Sequence, residues 1–492
     1  MEGVECMEEN IRKEILPELD ENYSYIKELL KDNTDVIFRK FYVGKFSVAL
    51  IYIDGMADKK LLDDYVMESL MLHGDRVRSK EEITNTILTV TDLKEEEKMD
   101  SALKAMLSGE TMMFIDGIDK CYIIATRSWS ARGVTEPSGE EVIRGAREGF
   151  VETLRFNTAL IRRRIRDTRL RIEMTTVGLR SKTDVAIVYI DDIVNKDVLS
   201  KVKQRIDNIK IDAVLDSGYI EQFIEDNRWS IFPQIQATER PDVAAASIFE
   251  GRVAILVDNS PYCILAPTTL IALFQSPDDY NQRWIYSSII RLIRFCSIFL
   301  SLLLPGLYVA VTSFHTTIVP TRLAYAMAAT REGIPFPAYV EAIIMEISMA
   351  LLVEAVIRLP KGLGTTIGIV GGLIIGQAAV SAGIVSPIMI IIVSVTAITT
   401  FITPNYEVVA SLRIIRFTLI IAASIIGFYG LTLLSLVYLI HLIRLESFGI
   451  PYMSPIVNLR SGDLKDTLIR SPLQFFKRRP DFLKPGDKIR QK

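Results

Sequence analysis

The stretch VALIYID (48–54) occurs a second time in the chain, almost unchanged, as VAIVYID (185–191). Each run is apolar and rich in β-branched residues up to its aspartate, which is typical of a β-strand that ends in a turn. The residues that follow, 55–70 and 192–209, have apolar side chains at helical spacing. The repeated stretch therefore predicts a strand, a turn and an amphipathic helix, present twice in one chain.

A second pair of strands repeats in the same order. The segment GETMMFIDGIDKCYII (109–124) matches GRVAILVDNSPYCIL (251–265), and these copies are separated by nearly the same distance along the chain as the first two. In both, a short Asp-Gly or Asp-Asn turn lies between apolar runs, which is typical of a β-hairpin. We therefore expect one ancestral α/β unit, duplicated to give two subdomains of roughly 100–130 residues each.

The aspartates at the strand ends, Asp54 and Asp191, are the first candidates for chemistry. A carboxylate in this position can bind a ligand or act in catalysis, but it more often caps the turn or helix that follows. No glycine-rich phosphate loop follows either strand, and no Ser-His-Asp or Cys-His set is evident in the sequence. We therefore expect a protein that is not an enzyme.

Charge and hydropathy separate along the chain. The 492 residues carry a net charge of −3 and are 24% charged, yet the mean hydropathy is +0.26. Residues 1–283 hold most of the charge, 285–443 hold long apolar runs, and 444–492 are basic. The charge balance argues against a bulk nucleic-acid binder, and the distribution predicts a soluble half followed by a membrane domain.

The first residues and the cysteines indicate the compartment. The N-terminus has no apolar core of a signal peptide, so we expect residues 1–283 to remain in the cytoplasm. The four cysteines and three histidines are scattered, without the spacing of a zinc site or a disulfide framework. We expect neither a metal nor another cofactor.

An arginine-rich helix is predicted between the two copies, in FNTALIRRRIRDTRLRIEM (156–174). It can form a patch for lipid headgroups or a partner, or it can pair with acidic neighbours such as the run at 92–98. We favour a structural or subunit-interface role for these candidate interface residues: Arg162, Arg163, Arg164 and Arg166.

Three apolar runs are long enough to cross, or nearly cross, a hydrocarbon core of about 30 Å. They cover residues 284–314, 388–402 and 414–443. Arg291 and Arg294 lie in the first turns of the first run, where long side chains can snorkel back to the cytoplasmic side.

The segment at 338–360 is apolar but contains Glu341, Glu346 and Glu354. A carboxylate in lipid costs at least about 2.5 kcal/mol on insertion scales, so all three need water or protein around them. On a helix Glu346 and Glu354 lie about 80° apart and can face one ion pathway. Alternatively, the helix lies in the membrane interface with its carboxylates in water.

A stripe of glycines, spaced four residues apart, follows the glutamate segment. It offers a smooth face on which another helix can pack closely, within the subunit or around a ring. Gln377 is the one strong hydrogen-bonding side chain beside it. The candidate helix-packing residues are Gly364, Gly368, Gly372 and Gly376, and the candidate pore residues are Glu341, Glu346, Glu354 and Gln377.

The number of membrane crossings is four or five. Five would place the basic tail outside, whereas four, with the glutamate segment re-entrant or interfacial, keep the tail inside beside the N-terminus. The positive-inside rule, applied to the tail, favours the even number. Against it, some basic residues of the connections would face outward: Arg358, Lys361, Arg413 and Arg416. We choose the even number.

Several blocks of the chain beyond the duplicated half are distinctive. They are FPQIQATERPD (232–242), EGRVAILVDNSP (250–261), REGIPFPAYVEAIIMEI (331–347), IVGGLIIGQAAVSAGIVSP (369–387), ITPNYEVVASLRIIRF (402–417) and SFGIPYMSP (447–455). With the duplicated half, these blocks resemble the A subunit of bacterial spore germinant receptors, the GerA family. The resemblance implies a protein of the endospore inner membrane that acts with a transporter-like B subunit and a lipoprotein C subunit. It also implies self-association into a ring that conducts cations early in germination.

One position departs from the family pattern. After the first span the family has His, any residue, Glu, two residues and Pro, whereas this chain has HTTIVP (315–320), with Thr317 in the place of the carboxylate. If that carboxylate helps ions at the mouth of a pore, this chain lacks it. The family also includes a stage V sporulation paralogue, but IGQAAVSAGIVSP looks closer to true receptor A subunits.

The sequence therefore predicts two duplicated α/β subdomains followed by an all-α polytopic membrane domain, with divisions 1–155, 156–283, 284–443 and a cytoplasmic tail at 444–492. The predicted function is a subunit of a nutrient-gated cation channel for germination. The alternatives are the stage V paralogue acting as an ion channel, a secondary transporter of a small molecule, or a scaffold without conductance. The clear repeat lies in the soluble half rather than in the membrane half, which weighs against a transporter.

Overall fold

Two compact units make up the chain. The computed structural model describes residues 11–128, 136–137, 139–360, 368, 371–372, 374, 376–458 and 462–491. The first, the α/β unit, contains Met1–Asp226, Ile235–Pro267 and Gln474–Lys492, and the second, the helical unit, contains Asn227–Gln234 and Thr268–Leu473. The predicted division at residue 283 falls inside the helical unit, and the predicted tail is shared between the units.

In the part of the chain that the structure describes, the first half of the α/β unit is a five-stranded sheet in the order β1-β2-β4-β5-β3, with antiparallel neighbours throughout. Its strands are β1 Val36–Val43, β2 Phe46–Ile53, β3 Leu93–Glu96, β4 Thr111–Ile115 and β5 Cys121–Ile124. Its helices are α1 Leu19–Leu29, α2 Lys59–Leu61, α3 Glu68–Leu72, α4 Lys80–Glu82 and α5 Met99–Leu107. Wider π-helical turns, Leu62–Met67 and Ile83–Ile87, continue α2 and α4.

The second half of the α/β unit repeats this sheet in the order β6-β7-β9-β10-β8. Its strands are β6 Leu170–Val177, β7 Thr183–Ile190, β8 Gln236–Thr238, β9 Val253–Val257 and β10 Cys263–Ala266. Its helices are α6 Leu154–Arg164, α7 Lys196–Asp207, α8 Ser217–Ile224 and α9 Pro241–Glu250. The central register also repeats, because Val48 lies opposite Ile115 and Val185 lies opposite Val257. The predicted duplication is confirmed.

The repeated stretch is apolar throughout because its strand is central and has a buried core on each face. Alternate residues of a strand point to opposite faces. In β2, Ala49 and Ile51 join one buried cluster, whereas Val48 and Leu50 join another. All four are at most 1% exposed. A strand with one solvated face would have alternated apolar and polar residues instead.

Both predicted hairpins are present, since β4 pairs with β5 and β9 pairs with β10. Their turns contain Gly117 at φ +76° and Asn259 at φ +66°. This left-handed region is the one that glycine and asparagine tolerate best. The two turns therefore have the residues that their backbone conformation requires.

The helical unit is built from long apolar helices. Within the described residues they are α10 Leu270–Phe274, α11 Asp278–Asn281, α12 Trp284–Ser313, α13 Thr321–Thr330, α14 Ala338–Arg358, α15 Pro387–Phe401, α16 Tyr406–Ile426 and α17 Phe428–Arg444, followed by the short strands β11 Glu446–Ser447 and β12 Ile450–Pro451. By length and composition α12 and α16 can cross a membrane, while α15 and α17 are shorter apolar helices. An α/β half followed by a half of apolar helices confirms the predicted fold class.

The run at 414–443, which the sequence predicted as a single span, belongs to two helices. Gly427 separates α16 from α17 at φ +60° and ψ −134°, a backbone conformation that essentially only glycine adopts. Thr418 of α16 is hydrogen-bonded to Tyr438 of α17 at 2.9 Å, so the two helices fold back on each other. The expectation of one span at 414–443 is wrong because a single glycine reverses the chain.

One end of the helical unit gathers several helix termini. The hydroxyl of Tyr308, near the end of α12, lies 3.4 Å from that of Ser386, the N-cap of α15. The backbone N–H of Ser386 donates to Glu341 near the start of α14. A Cβ on Gly427 would lie 2.8 Å from Phe314, just after α12. The helices α12, α15, α16 and α17 therefore alternate in direction, and α14 starts from the same end as α15.

Candidate functional site

Glu341, the first carboxylate of α14, is fully buried and ion-paired. Its Oε1 lies 3.2 Å from Nη2 of Arg331, and its Oε2 accepts a hydrogen bond from the backbone N–H of Ser386 at 2.8 Å. The carboxylate thus lies at the positive end of α15, where a negative charge is stabilised. Glu341 joins the starts of α14 and α15 to the turn after α13.

Glu346, further along α14, is also buried and ion-paired. Nη1 of Arg416 in α16 lies 3.1 Å from Oε1 and 3.0 Å from Oε2 of Glu346. Nη2 of the same arginine donates to the hydroxyl of Thr400 in α15 at 3.0 Å. A buried ion pair adds little net stability over apolar packing, but removing one partner leaves an uncompensated charge. This pair therefore ties three helices together.

Glu354, nearer the far end of α14, has different surroundings. Its side chain is 52% exposed and lies 2.6 Å from Arg358, one turn further on. Exposed pairs of this kind contribute only a few tenths of a kcal/mol. Glu346 and Glu354, which were expected to face one pathway, differ in that Glu346 faces neighbouring helices and Glu354 faces the exposed surface of the chain.

Part of the glycine stripe packs within the chain. Gly364 lies outside the described residues. A Cβ on Gly368 would lie 3.7 Å from Val356, and one on Gly376 would lie 3.9 Å from Ile390. Both are ordinary contact distances, so these two glycines face α14 and α15.

The remaining part of the stripe is open. A Cβ on Gly372 would meet no atom within 4 Å in the described part of the chain. Gln377, on the same helical segment, is exposed. The structure thus places two predicted pore residues, Glu354 and Gln377, on exposed surfaces of the helical unit, and the two others inside it.

The arginines that neutralise the buried carboxylates were missed by sequence reasoning. Arg416 was expected in an outward-facing connection, but it lies within α16 and is 4% exposed. That expectation is wrong because α16 begins at Tyr406, before the apolar run that marked the span. A usable signal was present, since a carboxylate inside an apolar helix requires a cation nearby.

Arg162, in the predicted arginine-rich helix, is fully buried between the two halves of the α/β unit. Its Nε and Nη2 donate to the two carboxylate oxygens of Asp35 at 2.7 and 2.8 Å. Nη2 also donates to Oδ1 of Asn33 at 2.8 Å. A two-pronged contact of this kind is the strongest geometry between guanidinium and carboxylate. It joins α6 of the second half to the residues before β1 of the first.

The other arginines of this helix lie nearer the surface. Arg163 and Arg164 lie 3.0 and 2.8 Å from the carboxylate of Glu148, and Arg166 is exposed. The prediction that the acidic run at 92–98 pairs with this helix is wrong for Arg162 and Arg164, because residues distant from that run neutralise them.

Arg291 and Arg294, near the start of α12, are buried rather than snorkelling. Each lies 2.9 Å from Asp279, and Arg291 also lies 2.7 Å from Asp466. Asp466 follows α17, so the network joins the first and last parts of the helical unit. The expectation of snorkelling is wrong because acidic residues of the same chain neutralise both arginines.

The strand-end aspartates lie in ion pairs at the surface. Asp54 lies 2.8 Å from both Lys59 and Arg155, and Asp191 pairs with Lys196. These contacts fit a role in the turn. Within the described ranges, no group of three or more His, Cys, Asp or Glu side chains is placed to hold a metal ion.

Comparisons with known proteins point to one family. The sequence model of the Bacillus/Clostridium GerA spore germination protein matches residues 24–482. YfkQ, an uncharacterized membrane protein of Bacillus subtilis, is 41% identical over 98% of this chain and 94% of its own length. Spore germination protein B1 of Bacillus subtilis is 42% identical over 96% of this chain and 99% of its own length. The crystal structure of the N-terminal domain of the A subunit of the Bacillus megaterium spore germinant receptor GerK3 covers 52% of this chain and 98% of that chain, with 30% identity and a TM-score of 0.40.

Proposed function

Because this chain belongs to the GerA family of spore germination proteins, we propose that it is the A subunit of a nutrient germinant receptor and that its copies form a cation channel. The receptor lies in the inner membrane of the endospore, with a transporter-like B subunit and a lipoprotein C subunit as partners. Nutrient bound to a partner shifts the helical unit from a closed to an open arrangement.

The composition of the α/β unit supports an even number of membrane crossings. This unit contains chain from before and after the helical unit, including Gln474–Lys492. The backbone N–H groups of Gly486 and Asp487 donate to the carbonyls of Ile193 and Asp192 at 3.0 and 2.9 Å. A folded soluble unit lies on one side of a membrane, so the chain returns to the side it left. The basic tail supports the cytoplasmic side for this unit.

The glutamate helix is compatible with this count. At 1.5 Å per residue, the 21 residues of α14 extend about 31 Å, close to the thickness of the hydrocarbon core. By Ser386 the chain is again beside the start of α14. Residues 338–386 therefore add either two membrane crossings or none to the four that we assign to α12, α15, α16 and α17.

The observation that carries the channel proposal is that apolar helical segments of the helical unit expose polar side chains. Glu354 and Gln377 are exposed, and Gly372 has open space beside it within the described part of a single copy. A carboxylate exposed to lipid costs at least about 2.5 kcal/mol. Further copies that pack on Gly372 remove these groups from lipid and leave a shared aqueous axis beside them.

Glu341 and Glu346 take a different part in the proposal. Each already has an arginine within 3.2 Å, so each pair is neutral and attracts cations weakly. We assign these two carboxylates to holding α14 against α15 and α16. Cation attraction then falls to Glu354, and movement of α14 on opening disturbs the two buried pairs.

Cation flux from liposomes that contain the full-length protein tests this proposal. Wild-type protein should raise potassium permeability above that of protein-free liposomes. Gly372→Leu should abolish the increase, because the leucine fits a single copy but blocks close packing of two. The matched control is Ile374→Leu, a conservative change at a residue of the same segment that is 57% exposed.

The outcomes separate the alternatives. Loss of flux in Gly372→Leu with retention in Ile374→Leu supports the channel. Equal flux in wild type and Gly372→Leu removes the support for copies packing at the glycine. Protein that assembles without any flux is the behaviour of a scaffold, and contradicts the channel.

A further inference from the structure

Trp229 lies in a short loop, Asn227–Gln234, that belongs to the helical unit although the chain on both sides of it belongs to the α/β unit. Its side chain is 95% exposed. Tryptophan is enriched at membrane–water interfaces, where the indole N–H meets polar groups while the ring meets apolar ones. The position of the loop on the membrane helices therefore decides what this ring contacts.

The loop is closed by its first and last residues. The backbone N–H of Asn227 donates to Oε1 of Gln234 at 2.8 Å, and Nε2 of Gln234 donates to the carbonyl of Asn227 at 2.7 Å. Oδ1 of Asn227 also accepts a hydrogen bond from the backbone N–H of Trp229 at 3.0 Å. The exposed ring therefore projects from a hydrogen-bonded turn.

Three contacts attach the loop to α16 and α17. The hydroxyl of Ser411 in α16 donates to the carbonyl of Ile231. The hydroxyl of Ser230 lies 3.0 Å from Nε2 of His441 in α17, and the ring of Phe232 stacks on that of His441 with centroids 6.2 Å apart. Phe232 itself is buried in the apolar cluster of α12, α16 and α17. The loop is therefore a fixed part of the helical unit.

These contacts place the loop beside the helix ends. His441 is three residues before the end of α17 at Arg444, and Ser411 is five residues after the start of α16 at Tyr406. At 1.5 Å per residue, these positions are about 5 and 8 Å inside the helix ends. The 17 residues of α17 extend about 26 Å, less than the hydrocarbon thickness of about 30 Å. Where α17 crosses a membrane, the loop is therefore level with the boundary between hydrocarbon and headgroups.

Other side chains at this end of the helical unit suit the same boundary. The helices α12 and α16 start there, and α17 ends there. Trp284 and Tyr286 at the start of α12, and Tyr406 at the start of α16, are exposed. Exposed arginines accompany these rings, beside the exposed carboxylate of Glu446: Arg228, Arg283 and Arg444. Aromatic rings together with guanidinium groups are typical of a surface that meets the phosphates of a membrane.

We propose that Trp229 inserts into the headgroup layer of the membrane that α12 and α16 cross, and that the loop Asn227–Gln234 is a lipid anchor. The indole N–H donates to an ester carbonyl or phosphate oxygen of a phospholipid, and Arg228 beside it binds a phosphate. The inference rests on the membrane placement proposed above and not on ion conduction. Because Asp226 and Ile235 of the α/β unit flank the loop, the chain of that unit enters and leaves the anchor directly.

Quenching of tryptophan fluorescence by brominated phospholipids tests the anchor in the full-length protein. The chain has three tryptophans, so the double variant Trp129→Phe with Trp284→Phe leaves Trp229 as the fluorophore. In vesicles of phosphatidylcholine and phosphatidylglycerol, bromine at the headgroup end of the acyl chains should lower this fluorescence at least about twofold. Bromine at the far end of the acyl chains should lower it less. The emission maximum should also lie at a shorter wavelength than that of tryptophan in water.

Two further proteins provide the controls. The double variant Trp129→Phe with Trp229→Phe leaves Trp284 at the start of α12, which should be quenched and marks the boundary. Tyr42→Trp, in a protein whose three tryptophans are replaced by phenylalanine, places the ring at an exposed residue of β1 in the α/β unit and should not be quenched. The melting temperature shows whether each variant is folded. If the variant that retains Trp229 does not fold, the difference in quenching between wild type and Trp229→Phe gives the same quantity.

Three results would overturn the inference. They are no quenching of Trp229 while Trp284 is quenched, equal quenching of Trp229 and of the ring introduced by Tyr42→Trp, and stronger quenching from the far end of the acyl chains. The first would leave the exposed ring to a protein partner instead of lipid. Absence of quenching at Trp284 as well would remove the membrane placement, and the anchor with it. The flux experiment is decided separately, since an anchored loop is compatible with either result for conduction.

Discussion

The two units of this protein bury the same kind of ion pair in different surroundings. In the α/β unit Arg162 binds Asp35, whose side chain retains 9% exposure. In the helical unit Arg416 binds Glu346, and both side chains are 5% exposed among apolar helices. The first pair joins two copies of one fold, and the second joins three helices. Since the cost of an uncompensated charge grows with burial, the same substitution should cost more in the helical unit.

Arg416→Met tests the larger effect. It leaves Glu346 without a cation inside the helical unit and should lower the free energy of unfolding by about 3–5 kcal/mol. Denaturant titration in detergent measures this quantity. The double variant with Glu346→Met should recover most of the loss, because it removes both charges. A double variant as unstable as the single one would show that packing, and not charge, explains the loss.

Arg162→Met, the same substitution as at Arg416, tests the matching pair of the α/β unit. The remaining carboxylate of Asp35 reaches some water, so the loss should be smaller, about 2–3 kcal/mol on the scale of broken buried pairs. The control is Arg166→Met, at an exposed arginine just after the same helix, which should change stability by less than about 0.5 kcal/mol. Equal effects of the two variants would contradict the assigned contact between the halves.

Sequence reasoning found the elements of the α/β unit because their signals are local. An apolar run that ends in aspartate, or a hairpin turn with glycine or asparagine, depends on a few adjacent residues. The ion pairs are not local, since Arg162 and Asp35 are 127 residues apart and Arg416 and Glu346 are 70 apart. Only the folded chain assigns such partners.

The candidate site was predictable in type and not in arrangement. The cost of carboxylates in lipid drew attention to Glu346 and Glu354. Periodicity cannot show that α16 supplies Arg416 to Glu346, while no neighbouring helix supplies an arginine to Glu354 in the described part of the chain. The sequence did not predict the chain reversal at Gly427 for a related reason. One glycine in an apolar run resembles any other until its φ is known.

Glu140 is a carboxylate of the α/β unit that differs from the ion-paired carboxylates in its pKa. Burial raises its pKa to about 7, although the hydroxyl of Thr238 and the charge of Arg240 oppose the shift. The unfolded chain has the ordinary, lower pKa, so the folded state is favoured by protonation. That stabilisation is complete below the unfolded pKa and is lost as the pH rises through 7, by up to about 1.4 kcal/mol per pH unit.

Glu140→Gln should remove this dependence. As the pH rises from 5 to 8, the free energy of unfolding of the variant should increase by about 1–3 kcal/mol relative to that of wild type, because glutamine does not ionise. Melting temperatures across this range measure the difference. The matched control is Glu141→Gln at the exposed neighbouring residue, which should keep the wild-type slope. Parallel curves for Glu140→Gln and wild type would contradict the assigned shift.

Glu354→Gln should have the smallest effect on stability. Its ion pair with Arg358 is exposed, so its loss should change the free energy of unfolding by less than about 0.5 kcal/mol. The same change should lower the preference for potassium over chloride in liposomes, since it removes the proposed cation-attracting charge. An unchanged ion preference would contradict the proposed role of Glu354 in attracting cations. It would not affect the prediction for stability.

The central claim is that copies of this chain meet at the open glycine of the helical unit. Oxidative cross-linking in membranes tests it, with Gly372→Cys in a protein whose Cys6 and Cys296 are replaced by serine. Ile374→Cys is the matched control, because two helical residues further on the side chain points about 200° away. The account predicts covalent dimers for Gly372→Cys and few or none for Ile374→Cys. Monomers alone from Gly372→Cys, or equal cross-linking at both positions, would contradict it.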